Sequence, residues 1–221
     1  LMGNWSTTIA ASIGSFTVLF IVAAVATRIK NTMALLIIGL MFGSLSSAIV
    51  SILAFFSSKE SLQKFVFWTY GNLGNLRPSE IGVLGLFVGI GSLLSILNTN
   101  ALNTMLLGDD YAISLGVSLK KTHLIILITT GLIAGSITAL VGPIAFLGLA
   151  VPHICRLIWD TSNHKILIPT CLIMGAIFML ISDSIAQLPG SANVLPINAV
   201  TALFGSPIVI WLLIRKKQIQ L

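Results

Sequence analysis

Six acidic and twelve basic side chains in 221 residues leave few groups with which to do chemistry. Their types and spacing narrow the options further. No His-Glu-x-x-His pair and no serine-histidine arrangement of recognisable form is present, so a hydrolase within the membrane has no support. Nothing matches the glycine-rich phosphate loop ending in Lys-Ser/Thr, so any ATP-driven work would have to be done by another subunit. Cys155 and Cys171 stand apart in apolar stretches without metal-ligand spacing, which points to packing. An ion-coupled secondary transporter would need ionisable groups buried in the membrane. Asp183 and His153 are the candidates. Asp183 lies near the end of an apolar run, within reach of the interface, and His153 beside Pro152 suits packing or a bond to backbone. Uptake driven by a proton gradient without any ATPase would mark this alternative.

The stretch that must be positioned most carefully is 142–158, GPIAFLGLAVPHICRLI. It is apolar enough for a bilayer, yet Pro143 and Pro152 each remove a backbone donor and clash with the preceding turn. Gly142, Pro143, Gly148, Pro152, His153 and Arg156 therefore define a short, broken helix. Interrupted backbone in lipid is tolerated only where protein or a water-lined path covers it, and broken helices often accompany transport routes.

The surroundings are membrane. Charged residues are 8% and hydrophobic residues 56% of the chain, and the mean hydropathy is +1.05, values outside the range of soluble domains. The expectation is an all-α, polytopic helix bundle of about seven spans, one integral domain over 1–221 with no room for a soluble catalytic domain. The net charge of +6 comes from basic residues scattered between apolar runs, which fits membrane topology and not nucleic acid. The first residues show no basic n-region and no small-residue cleavage site, so no signal peptide is expected.

Uncharged runs place spans at 9–27, 33–56, 81–97, 124–141, 166–186 and 199–214, with the broken stretch between the fourth and fifth of these. In 33–56, Gly39, Gly43, Ser47 and Ser51 recur every fourth residue, a small-residue stripe that admits a second backbone, either as ordinary packing or as the wall of a pathway. Gly85 with Gly89, and Gly131 with Gly135, repeat that spacing. Around FVFWTYGNL, 57–80 suggests a short helix at the membrane surface, with Trp68 and Tyr70 at the boundary. In 98–123, Asp109 can cap a short helix whose first turn carries Asp110, and Gly116 offers its stop. Tyr111 and Leu115 share one face of that helix, the kind of surface a soluble partner grips; a plain connector resting on the membrane is the alternative.

Basic residues test the orientation. Seven crossings with an outside N-terminus put Arg28, Lys30, Lys120, Lys121, Arg156, Lys165, Arg215, Lys216 and Lys217 inside, against Lys59, Lys64 and Arg77 outside. If the broken stretch does not cross, the best arrangement is eight against four.

Four ordered stretches carry a resemblance: 142–158, GDDYAISLGVSL at 108–119, HKILIPTCLIMGAIFMLISDSIA at 164–186, and NAVTALFGSPIVIWLL at 198–213. From about residue 10 to the C-terminus the chain resembles the FecCD/BtuC-type permeases of ATP-binding cassette importers for iron-siderophores, haem and vitamin B12. That resemblance implies a homodimerising permease of the bacterial cytoplasmic (inner) membrane with a cytoplasmic C-terminus. The implied partners are a cytoplasmic ATPase dimer that binds the ATP, an external or periplasmic substrate-binding protein, a second copy of the permease and the bilayer. No cofactor or metal would be bound by this chain. It implies a coupling loop within 99–121, its helices at 106–119 with Leu106, Gly108, Asp109, Asp110, Tyr111, Leu115 and Gly116 on the ATPase. It makes 142–158 a true crossing, and lines the path with 33–56 and 199–214, including Gly39, Gly43, Ser47, Ser51, Thr201 and Gly205. The family has about ten helices, so three are expected on the N-terminal side of these seven. Gln187 stands where the family usually has an Arg that grips the binding protein, and VLPIN at 194–198 replaces its ELPVG-like segment.

Overall fold

The computed structural model describes residues 32–74, 76–187 and 194–218, with scattered positions between 13 and 25. Among the described residues the regular structure is entirely helical. In chain order the helices are α1 (Thr32–Phe55), α2 (Lys59–Tyr70), α3 (Pro78–Leu97), α4 (Thr99–Met105), α5 (Asp109–Ser114), α6 (Leu119–Val141), α7 (Leu147–Trp159), α8 (His164–Ala186) and α9 (Ile197–Gln218). Four of them, Ile37–Phe55 within α1 and the whole of α3, α6 and α8, are long and apolar enough to cross a membrane. The apolar parts of α7 and α9 are shorter. The fold is that of a polytopic helical membrane bundle. The expected span at 9–27 falls largely outside the described residues.

Helix starts run ahead of the apolar runs because polar residues cap them. α3 begins at Pro78, three residues before the expected 81: Pro fits the first turn, and Glu80 reaches back to accept from the Arg77 backbone N–H at 2.9 Å. α8 begins at His164, where Asn163 accepts from the Lys165 N–H at 3.0 Å. α2 is capped by Ser58, which accepts from the Ser61 N–H at 3.3 Å. It is the short surface helix expected from 57–80.

The closest helix pair is α3 with α6. Gly131 and Gly135 are buried on α6, as their spacing suggested, but α3 does not meet them with Gly85 and Gly89, whose surroundings are open. The contact glycine is Gly91, where an added Cβ would run into the Ile133 side chain. Gly91→Leu is therefore expected to force α3 and α6 apart at a cost of about 1–3 kcal/mol, read as a lower melting temperature in detergent, while Gly85→Leu leaves it unchanged. Helices α7, α8 and α9 form a second packed group. Its centre is Val151, Cys155 and Leu167, with Cys171, Met174 and Phe178 against it. The two thiols, far apart in sequence, are thus brought into one apolar cluster as free cysteines.

The ends of the 142–158 stretch lie at opposite ends of the bundle. Gly142 abuts Trp68 and Gly71 beside the start of α9, whereas His164, just past α7, is bonded to Asn103 of α4. The stretch leads from one end of the bundle toward the other, the direction a crossing takes. Its helix is not broken at Pro152, contrary to expectation: α7 continues through that residue. The carbonyl deprived of its donor belongs to Gly148, one turn earlier, and the break is confined to residues 142–146.

Candidate functional site: a broken span and a helical hairpin

Two glycines with left-handed backbone let the chain turn between α6 and α7. Gly142 (φ 93°) faces the Trp68 carbonyl and the Gly71 Cα, and Gly71 (φ 72°) lies against the Ile197 side chain and the Val141 carbonyl. The end of α2 is fastened there. The Asn72 N–H donates to the Val141 carbonyl at 2.9 Å, and the Trp68 indole N–H to the Ala139 carbonyl at 3.4 Å. An open cup rimmed by Phe67, Trp68, Tyr70, Val194, Leu195 and Pro196 lies beside this junction.

Past Pro143 the backbone must be satisfied without helix. The Ala145 N–H donates to the Asn198 side-chain oxygen at 3.2 Å, and the Leu147 N–H to the Ala145 carbonyl at 2.8 Å. Phe146 takes a left-handed conformation, φ 65°, and fits because residue 205 is glycine: a Cβ there would stand 2.6 Å from the Phe146 Cβ. Asn198, singled out in the sequence only as a departure from the family, thus holds the break open. Asn198→Ala would leave the Ala145 N–H without its partner and is expected to cost about 1–3 kcal/mol, measured by thermal unfolding. His153 bonds through Nδ1 to the Leu149 carbonyl at 2.9 Å. It is thus spoken for by backbone, one of the two roles its sequence context suggested. Asp183 accepts from the Gln187 side-chain amide at 2.6 Å. Arg156 is exposed in the last turn of α7, where a cation suits the helix dipole.

At the opposite end, α4 and α5 form a hairpin that the sequence revealed only in part. α4 lay hidden in a stretch read as loop. Gly108 (φ 102°), not Asp109, occupies the cap of α5, and both Asp109 and Asp110 sit in its first turn, near the positive end of its dipole. The stop is as expected. Gly116 (φ 84°) lets its own N–H donate to the Ile113 carbonyl and the Val117 N–H to the Ala112 carbonyl, each at 2.9 Å, a Schellman closure. Ala112 is fully buried, so α5 is anchored on one side. On the other side Leu106, Leu107, Tyr111 (67% exposed), Ile113 and Leu115 (63%) stand clear of the chain.

The predicted path residues are not brought together. Gly39, Gly43, Ser47 and Ser51 lie on α1, exposed along its length, with open space at both glycines. Thr201 and Gly205 are buried within the chain: Thr201 donates to the Asn198 carbonyl at 3.1 Å, and Gly205 accommodates Phe146. The outward side of α9 carries Leu203 and Phe204 instead. Among the described residues no group of three or more His, Cys, Asp or Glu could hold a metal ion.

The residues thus define a helical membrane protein with an interrupted span and an exposed helical hairpin. The chain belongs to the FecCD transport family, whose profile it matches over residues 1–215. It is 34% identical over 219 residues to the vitamin B12 import system permease protein BtuC of Klebsiella pneumoniae subsp. pneumoniae, covering 98% of this chain and 65% of that protein. It is 32% identical over 212 residues to the BtuC protein of Salmonella arizonae, covering 96% and 64%. The chain therefore spans just under two thirds of the length of these curated relatives. Among solved structures it resembles one described as a metal-chelate type ABC transporter in an inward-facing conformation, with a TM-score of 0.81, 27% identity, and coverage of 96% of this chain and 72% of that one.

Proposed function

We propose that this chain is part of the membrane-spanning permease subunit of an ATP-binding cassette importer, moving a bulky metal chelate across the bacterial inner membrane. The observation that carries the reading is the α4–α5 hairpin: a buried anchor at Ala112 beneath exposed Leu106, Tyr111 and Leu115. It is a small, stiff, amphipathic surface of the sort a soluble ATPase can seat. The charge pattern agrees, since Lys120, Lys121, Arg156 and Lys165 all lie near the helix ends at that side, as expected of a cytosolic face.

Two copies would enclose the path. α1, exposed along its Gly/Ser face within its own chain, supplies a wall of Gly, Ser and aliphatic residues, and the outward face of α9 supplies the other. Such a wall is broad and chemically bland. It suits partly apolar chelates and leaves selection to an external binding protein docking near α2 and the outer end of α8, where the Asp183–Gln187 pair lies. The relatives' names make a corrinoid the first cargo to test, with iron-siderophores and haem next. The ion-coupled alternative gains no support from His153, whose Nδ1 bonds to the Leu149 carbonyl.

The test is co-purification. The full-length permease, tagged and extracted with its neighbouring gene products, should retain an ATPase subunit, and Leu106→Lys with Leu115→Lys should release it while the permease stays in the membrane. Retention of the ATPase by that double variant would count against the hairpin as its seat.

A further inference from the structure

The hairpin is wired to α8 through one side chain. Asn103, on α4, lies 61 residues from His164 at the start of α8 yet makes three hydrogen bonds there. Its Oδ1 accepts from the His164 backbone N–H at 2.8 Å and from the His164 ring Nδ1, also at 2.8 Å. Its Nδ2 donates to the Asn163 Oδ1 at 2.7 Å. That same Asn163 oxygen caps α8 by accepting from the Lys165 N–H. The first N–H of a helix has no partner within the helix, and α8 takes its partner from another element. Asn103 is thus a remote cap, with one oxygen holding two hydrogens and an amide holding the local cap in place.

We propose that Asn103 is the positioning residue through which the α4–α5 hairpin acts on α8, so that displacement of the hairpin is delivered to the helix whose far end lies at the opposite mouth. The proposal rests on the reading of the hairpin as the ATPase seat. α4 packs on both α5 and α8, so α4 is the element placed to carry motion between them. Apolar contact alone would let α4 slide. The three directional bonds tie it to the α8 terminus in one register.

Hydrogen exchange read by mass spectrometry tests this without any need to know the cargo. The intact importer, full-length permease with its ATPase subunits in lipid nanodiscs, is compared with and without a nonhydrolysable ATP analogue. In the native protein, peptides covering 106–116 and 164–172 should both respond. In Asn103→Leu the first response persists and the second shrinks about fivefold, the population change that one helix cap supports. Asn103→Asp keeps both acceptor bonds at a helix N-terminus but loses the amide donor to Asn163, so it should restore the response in part. An undiminished response at 164–172 in Asn103→Leu overturns the latch while leaving the ATPase seat standing. A native hairpin that does not respond at all overturns both. Should Asn103→Leu fail to assemble, Asn103→Ala, which removes the same three bonds with a smaller side chain, decides by the same comparison: an α8 response equal to the native one rejects the latch.

Discussion

Gly142→Ala should cost the protein about 2–5 kcal/mol of stability, enough to abolish a folded, monodisperse permease in detergent. The backbone there has φ 93° and ψ 175°, a region open essentially only to glycine that costs a residue with a Cβ about 1 kcal/mol or more. The new methyl group would also be driven into the Trp68 carbonyl and to 2.9 Å from the Gly71 Cα. Both obstacles are backbone, with no rotamer to escape into, so a further 1–3 kcal/mol of overpacking follows. Relief would require α2 to lift off the end of α6, breaking the Asn72 and Trp68 bonds, or the 142–146 break to re-form elsewhere. Size-exclusion chromatography with a thermal-shift assay measures it. Gly148→Ala, whose surroundings are open, is the control and should match the native protein.

The second large effect is functional. Replacing Asp109 and Tyr111 together by Ala should reduce ATP-driven uptake by about thirtyfold while the permease remains inserted and stable. Tyr111 is two-thirds exposed, and an exposed aromatic at the centre of an interface commonly carries about 2 kcal/mol. Asp109 adds a charge at the first turn of α5 that favours the helix. Because a ligand shifts a two-state protein only by binding its states differently, a loosened seat wastes the nucleotide cycle. ATP hydrolysis should continue as uptake falls, and the ratio of the two, measured in proteoliposomes containing the full importer, reports it. Native uptake in the double variant would show that the hairpin is not the seat.

Much of this was visible in the residues before the fold was known. Long uncharged runs marked α1, α3, α6 and α8 to within a few residues at most boundaries, because a membrane imposes both length and composition. The α5 stop was legible because Gly116 can take a positive φ where other residues resist. The misses share a physical cause: they depend on which backbones meet. Gly85 and Gly91 are both plausible contact points, and only the approach of Ile133 selects Gly91. Pro152 suggests a break, yet α7 carries through it, held by its packing against α8 and α9. The break at 142–146 instead needs Asn198 and Gly205, more than fifty residues away, to satisfy Ala145 and to admit Phe146. Asn103 was likewise silent in sequence. A single amide in a polar stretch carries no periodicity, and its partners at Asn163 and His164 come near only once α4 and α8 have packed.

In the proposed function this chain provides a gate and a path, and the energy comes from a nucleotide cycle on another subunit. Its most direct test is flux of radiolabelled cyanocobalamin into sealed vesicles that contain the full-length permease, with and without its ATPase and binding protein. Uptake should appear only when the ATPase is present and ATP is supplied, and an imposed proton gradient alone should produce none. Accumulation driven by the proton gradient in vesicles that lack the ATPase would contradict the account.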